Sequence, residues 1–227
     1  MNYRAIILDM DGTLYYQFPV RLTMFFYLIF YYIIRPTRIK ELFLLNQYRI
    51  IREEGLFSEF PDFDNRQIYF LSEKYNIPFS RVQNLISFWM TDNCLKVIAR
   101  YKDKLLLKQI KKFEDAGGIV IVYSDYPMKR KMKAIGLQAH FQFFSGDENL
   151  KCMKPSKENM ETILAITELM PCDVLFIGDR YDKDAKSAET VGMDSLVLSK
   201  FAFRRKKQRS LIQYGDDNQL NKNYSSE

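Results

Sequence analysis

The stretch Arg4-Ala-Ile-Ile-Leu-Asp9-Met-Asp11-Gly-Thr13-Leu14 decides the fold. Its apolar run is short, unbroken and bounded by polar residues, the pattern of a strand buried on both faces. It stops at two carboxylates and a turn-forming glycine, so acidic side chains stand at a strand's carboxyl end. Working outward, residues 119–123 read as a second such strand ending at Ser124-Asp125, and residues 174–177 as a third ending at Gly178-Asp179. Segments 141–144 and 195–198 add two more short strands. Helical periodicity fills the gaps over 105–116, 128–135, 156–170 and 182–191, with glycines closing three of the four. Strand and helix alternating at these lengths predict right-handed crossovers, hence an α/β fold: a Rossmann-like parallel sheet with helices on both faces. Such a sheet gathers its strand ends into one crevice, where ligands bind.

From 15 to 101 the alternation disappears. That segment reads as an all-helical cap inserted after the first strand, with helices near 21–34, 37–54, 64–75 and 80–100. It divides the chain into an α/β core over 1–14 and 102–200, the cap over 15–101, and a basic then polar tail over 201–227 that is expected to be flexible. Because the insert leaves directly after the carboxylate pair, it is placed to fold over the site as a lid. Within it, residues 22–34 (LTMFFYLIFYYII) are apolar on every side except at Thr23. Thirteen helical residues span about 20 Å, short of the roughly 20 residues that cross a bilayer, so no transmembrane helix is expected. The run must still be covered on most faces. It is read as cap core, as a homodimer, peripheral-membrane or hydrophobic-ligand contact, or as a membrane insertion.

Composition narrows the chemistry. Of 227 residues only His140 is a histidine, which excludes multi-histidine metal cages and leaves carboxylates and lysines as the reactive groups. Cys94, Cys152 and Cys172 form no C-x-x-C pair, and the first apolar run is broken at Asp9 before a signal could form, so a reducing, cytoplasmic setting is expected. The net charge of +6 gathers in the runs at 129–133 and 204–209, read as solvated faces, with no nucleic acid expected as partner. His140, Tyr48 and Trp89 are read as packing residues, and Arg49, Arg52 and Lys74 as cap cations, mostly solvated.

Four features fall at strand ends or the turns beside them: Asp9 with Asp11, Ser124, Lys154, and Asp179 with Asp184. Clustered carboxylates raise one another's pKa unless a cation sits among them, and hard oxygen ligands favour Mg²⁺. A hydroxyl and an ammonium beside them are the parts that hold a tetrahedral dianion against an anionic nucleophile. Phosphoryl transfer is the chemistry these residues suit.

The motif Asp9-Met-Asp-Gly-Thr-Leu14 resembles the first motif of the haloacid dehalogenase (HAD) superfamily. The stretch from Ile119 to Asp125 resembles the second, Lys154-Pro155-Ser156 the third, and Gly178-Asp-Arg-Tyr-Asp-Lys-Asp184 the fourth, in that order. Together they resemble the phosphoglycolate phosphatase-like branch with a type C1 helical cap. The resemblance implies Asp9 as nucleophile, giving an aspartyl-phosphate that water hydrolyses, and Asp11 as general acid and then base. It implies Lys154 and Ser124 as further catalytic groups. Gly12, Thr13, Ser124, Asp125 and Lys154 are the expected substrate-binding residues, with Asp125 equally readable as a helix cap. Asp9, Asp11 (through its carbonyl), Asp179 and Asp184 are the expected Mg²⁺ ligands. Asp182 stands as an alternative to Asp184 in the metal shell. An acid at position 11 argues against the dehalogenase and phosphonatase branches. The expected activity is therefore a Mg²⁺-dependent phosphatase acting on a small phosphomonoester. A sugar-phosphate phosphomutase, and a binding protein docked at a membrane or partner, stand as alternatives. The apolar cap helix further raises a substrate with a hydrophobic group.

Overall fold

In the computed structural model, residues 3–60, 62–150, 152–200, 204, 205 and 208 are described. Five strands, β1 (Ala5–Leu8), β2 (Ile119–Ser124), β3 (Phe141–Phe144), β4 (Val174–Gly178) and β5 (Asp194–Val197), form one sheet in the order β3-β2-β1-β4-β5. All four pairings are parallel. Alternate residues of each central strand enter different cores, as pleating requires. Ile6, Leu8, Val120, Val122, Leu175 and Ile177 pack against α6 (Lys104–Asp115) and α7 (Lys129–Ile135). On the other face Ala5, Ile7, Ile121, Tyr123 and Phe176 pack against α8 (Lys157–Thr167) and α9 (Lys186–Glu189).

The insert carries α1 (Gln17–Ile34), α2 (Lys40–Glu53), α3 (Phe63–Tyr75), α4 (Phe79–Ile86) and α5 (Cys94–Arg100). Its two stems meet at a Tyr15–Lys102 bridge, with Asp103 N–H donating to Leu14 O at 2.9 Å. A separate apolar cluster, including Leu45, Tyr48, Leu71, Val82 and Trp89, holds the cap together. The single helix expected over 80–100 is instead broken: a π turn over Ser87–Asp92 separates α4 from α5 and carries buried Trp89. The helix expected over 156–170 stops at Thr167, where Glu168 turns left-handed at φ 54°. It begins at Ser156, whose hydroxyl accepts from Asn159 N–H at 3.1 Å.

Helix α1 departs furthest from a packed cap. Only Val20 and Tyr32 are buried along it, while Phe26, Phe30 and Ile33 are 59%, 68% and 71% exposed. The cap-core reading of 22–34 therefore fails: the cap covers one side of this helix and leaves the rest bare. At 18 residues it is also longer than the 13-residue apolar run, and by length and composition it is apolar enough to cross a membrane.

Candidate active site

The site forms at the topological switch point, where the chain steps from β1 to β2 on one side and β4 lies on the other. Asp9 follows β1 and Asp179 follows β4, so parallel pairing of these neighbours brings the two carboxylates together. Asp184 completes the group: oxygens of Asp9, Asp179 and Asp184 lie within 4.8 Å of one another, all on buried residues. Two glycines make this approach possible. A Cβ at Gly12, whose φ is +97°, would stand 2.2 Å from Asp179 Oδ2, and one at Gly178 would stand 2.3 Å from Asp184.

Asp184 is returned to the site by local backbone geometry. Residues Tyr181–Ala185 form a wide π turn, and Asp184 Oδ2 accepts N–H bonds from Asp179 (3.1 Å) and Arg180 (3.0 Å). The helix expected to begin at 182 therefore starts only at Lys186. Asp182 points elsewhere, pairing with Arg180 at 2.6 Å on the surface. Asp184, not Asp182, is the residue in the carboxylate group, and Asp182 does not cap a helix.

Lys154 bridges the group, its Nζ 2.6 Å from Asp9 Oδ1 and 2.7 Å from Asp184 Oδ1. Thr13 donates its hydroxyl to Asp9 Oδ2 at 3.1 Å, so it aims the carboxylate. Burial pushes the Asp9 carboxyl well up, with Asp184 and Asp179 adding to the effect and Lys154 opposing it. Burial, then the neighbouring Asp184, pushes Asp179 up to about 6. Burial alone would lower the Lys154 ammonium, but Asp184, Asp9 and Asp125 reverse this and keep it charged. Asp179 Oδ1 is buried with no hydrogen-bond partner among the described residues. Three converging carboxylates against one ammonium, with an orphaned oxygen, fit a hard divalent cation such as Mg²⁺.

Asp125, expected to bind substrate, is instead committed within the protein. Its Oδ1 accepts from Ser145 Oγ (2.7 Å) and Lys154 N–H (2.9 Å), and Oδ2 pairs with Lys183 at 3.2 Å. Burial would raise its pKa, yet Lys154 and Lys183 hold it below the usual carboxylate range. It therefore braces the loop carrying Lys154. Ser124 is buried beside it and accepts the Tyr126 N–H at 3.1 Å. His140 is a structural residue on the sheet, its Nδ1 accepting from Val120 N–H at 3.1 Å.

Asp11 turns its carboxylate away from the group. Lys131 Nζ lies 2.6 and 2.8 Å from its two oxygens, and the Tyr15 hydroxyl donates to Oδ1. Burial and Asp11 together push the Tyr15 phenol well up, so it stays a neutral donor. Lys131 belongs to the basic run read as solvated, but its side chain is only 9% exposed. Two buried arginines also support the site from outside the motifs. Arg52 of α2 donates to Asp125 O at 2.7 Å, to Gln67 at 2.9 Å and to Asp64 at 2.5 Å, latching cap to core. Arg205, within the segment expected to be flexible, lies beneath the first motif and donates to Gly12 O, Thr13 O (3.0 Å) and Ser199 O (2.5 Å). The rest of that segment, Arg204 and Gln208 apart, lies outside the described residues.

A cavity of about 660 Å³ opens at Asp11, Lys131 and Tyr126 and runs into the cap, walled by α1, α2 and the turn carrying Trp89. The family model for haloacid dehalogenase-like hydrolases matches residues 6–198. The chain belongs to the haloacid dehalogenase-like hydrolases. A 2-haloacid dehalogenase from Pseudomonas syringae pv. Tomato DC3000 shares its fold with TM-score 0.61 and 14% identity, over 86% of each chain. The HAD-hydrolase YfnB from Bacillus subtilis, bound to magnesium, gives 0.58 and 14% over 87% of each. A predicted phosphoglycolate phosphatase from Haemophilus somnus 129PT gives 0.56 and 16%, over 87% of this chain and 86% of that one. No curated protein sequence matches the chain. In this haloacid dehalogenase-like hydrolase Asp9, Asp179 and Asp184 bring oxygens within 4.8 Å of one another, and Lys154 contacts Asp9 and Asp184.

Proposed function

We propose that this hydrolase is a Mg²⁺-dependent phosphatase of phosphomonoesters that works through an aspartyl-phosphate on Asp9. The observation that carries the reading is the pairing of a lysine-bound carboxylate, Asp9, with a second, separately held carboxylate two residues on, Asp11. A halide leaves as a stable anion and needs no proton, whereas an alkoxide does, so an acid at position 11 suits an oxygen leaving group. Asp9, Asp179 and Asp184 would hold Mg²⁺, with Asp11 contributing through its carbonyl as the family resemblance implies. A cation bound there would neutralise charge between the carboxylates and the phosphoryl oxygens.

Lys154 steadies the ionised nucleophile, and Thr13 fixes the direction of its attacking oxygen. Asp9 attacks phosphorus, and the departing oxygen takes a proton from Asp11, which must have exchanged its Lys131 contact for the substrate and gained that proton from solvent beforehand. Asp11, now a carboxylate, then takes a proton from the water that cleaves the acyl phosphate, so Asp9 returns as a carboxylate and Asp11 as the acid. Ser124, at the end of β2, supplies a hydroxyl for a phosphoryl oxygen.

Phosphate release from an aryl phosphate and a panel of natural phosphomonoesters tests the reading. Turnover that requires Mg²⁺, stops with EDTA and is lost in Asp9→Asn is the expected result. Transfer of phosphate within a sugar, without release, would replace hydrolase by mutase.

A further inference from the structure

The cap cavity indicates what the phosphate is attached to. Its wall is mostly carbon: Tyr15, Val20, Met24, Leu28, Leu45 and Trp89 face it along the route from Asp11 into the cap. Several of its polar side chains are already committed within the protein, Lys131 to Asp11, Tyr48 to Asp64 at 3.2 Å, and Glu53 to Arg180 at 3.4 Å. Asn46, Arg21, Arg49, Gln17 and Tyr126 supply most of its remaining polar groups. A sugar or nucleotide would have to find partners for many hydroxyls or ring nitrogens on such a wall, and each one left unpaired is costly. An alkyl chain needs none, and a volume near 660 Å³ is that of a pocket for a sizeable organic group. The wall is also built on α1, whose opposite side exposes Phe26, Phe30 and Ile33.

We infer that the substrate is a phosphomonoester of a long apolar alcohol, its phosphate at Asp9 and its chain in the cap cavity. This rests on the phosphatase reading for the chemistry, but the cavity's preference can be measured without turnover. Trp89 is the chain's single tryptophan and lies in the cavity wall, so its emission reports occupancy.

Ethyl, hexyl and decyl phosphate, each below its micelle concentration, and glucose 6-phosphate are titrated into the Asp9→Asn protein with Mg²⁺ while Trp89 fluorescence is followed. Binding should tighten about threefold per methylene from hexyl to decyl phosphate, with ethyl and glucose 6-phosphate far weaker. Wild-type kcat/KM should rise in the same order. In Leu28→Gln, with its circular dichroism unchanged, the decyl-to-ethyl ratio of kcat/KM should fall at least tenfold. Affinity independent of chain length, or tighter binding of glucose 6-phosphate, would overturn the inference. Chain-length-dependent binding without phosphate release would overturn the phosphatase reading and leave the cavity assignment standing. Release from all esters at equal kcat/KM would do the reverse. Phosphatidic acid in phosphatidylcholine vesicles forms a second arm. Release from vesicles supports an apolar ester drawn from a lipid surface, and release from dissolved decyl phosphate alone supports a soluble one.

Discussion

Gly12 and Lys154 set the site's tolerance for change. At Gly12 a methyl group would both force φ +97° on a side chain and collide with Asp179. Gly12→Ala should therefore leave the sheet folded but displace Asp179 by an ångström or so, costing about 100-fold in kcat/KM. Steady-state kinetics beside a Mg²⁺ titration of the melting temperature would show both losses together. Lys154 is the one ammonium in contact with Asp9 and Asp184 among the described residues. Lys154→Met leaves two buried carboxylates facing each other and should destabilise the cation-free protein by about 3–5 kcal/mol at neutral pH. Lys154 opposes the upward push of burial on Asp9, so removing it raises the Asp9 carboxyl further, and the loss should shrink as the pH is lowered and Asp9 takes up a proton. Urea unfolding at pH 7.5 and 5 measures this, and a loss unchanged between the two would contradict the assigned charges.

Among the elements, α1 and α2 make opposite predictions. Most of α1 is bare, so Phe30→Ser and Ile33→Ser should each change folding stability by no more than about 0.5 kcal/mol, as surface substitutions do. Equivalent truncation in a buried cap helix costs about 2–5 kcal/mol, and a value of that size by chemical denaturation would mean α1 is covered in solution. On α2, Arg52 is fully buried between Asp64, Gln67 and Asp125 O. Arg52→Met strands those acceptors and should lower stability by about 2–4 kcal/mol, with cap amides gaining hydrogen exchange before core amides do. The sequence shows a helical cap here, but Arg52 as a latch has no local signature. Its partners lie up to 73 residues away, and a lone arginine in a helix otherwise reads as a solvated cation.

At the scale of the molecule, the carboxylate group should couple stability to pH and, under the proposed function, to Mg²⁺. Asp179 sits near 6 against an ordinary value of 3.8, so its folded-state pKa is raised. In cation-free protein the folded state then takes up a proton more readily than the unfolded chain. Stability from this group is present below about pH 4 and lost as pH rises through 6, by on the order of 2 kcal/mol. Under the proposed function, Mg²⁺ would compete with that proton. The rise in melting temperature caused by 10 mM Mg²⁺ should be large at pH 7.5 and shrink steeply below about pH 6, as calorimetry would show. A shift equal at pH 5 and 7.5 would rule out Asp179 as a ligand.

What the sequence determined by itself was whatever is encoded within a few residues. Strand patterns ending in Asp9, Ser124 and Asp179, with glycines and polar turns after them, specify the sheet, because period, burial and turn chemistry are local properties. Parallel pairing then brings those ends together, so the clustering of carboxylates at one crevice was legible in the sequence. Only tertiary structure decided which charged residues are turned inward. Lys131 reaches Asp11 across 120 positions and Arg205 reaches Gly12 across 193, and both sit in basic runs that read as solvated. It also decided between Asp184 and Asp182, which differ by a bend in one π turn, and turned Asp125 into a brace. Exposure of α1 was likewise undetermined by its composition. An apolar segment states that it should be covered, and the packed fold alone shows how far the cap covers it.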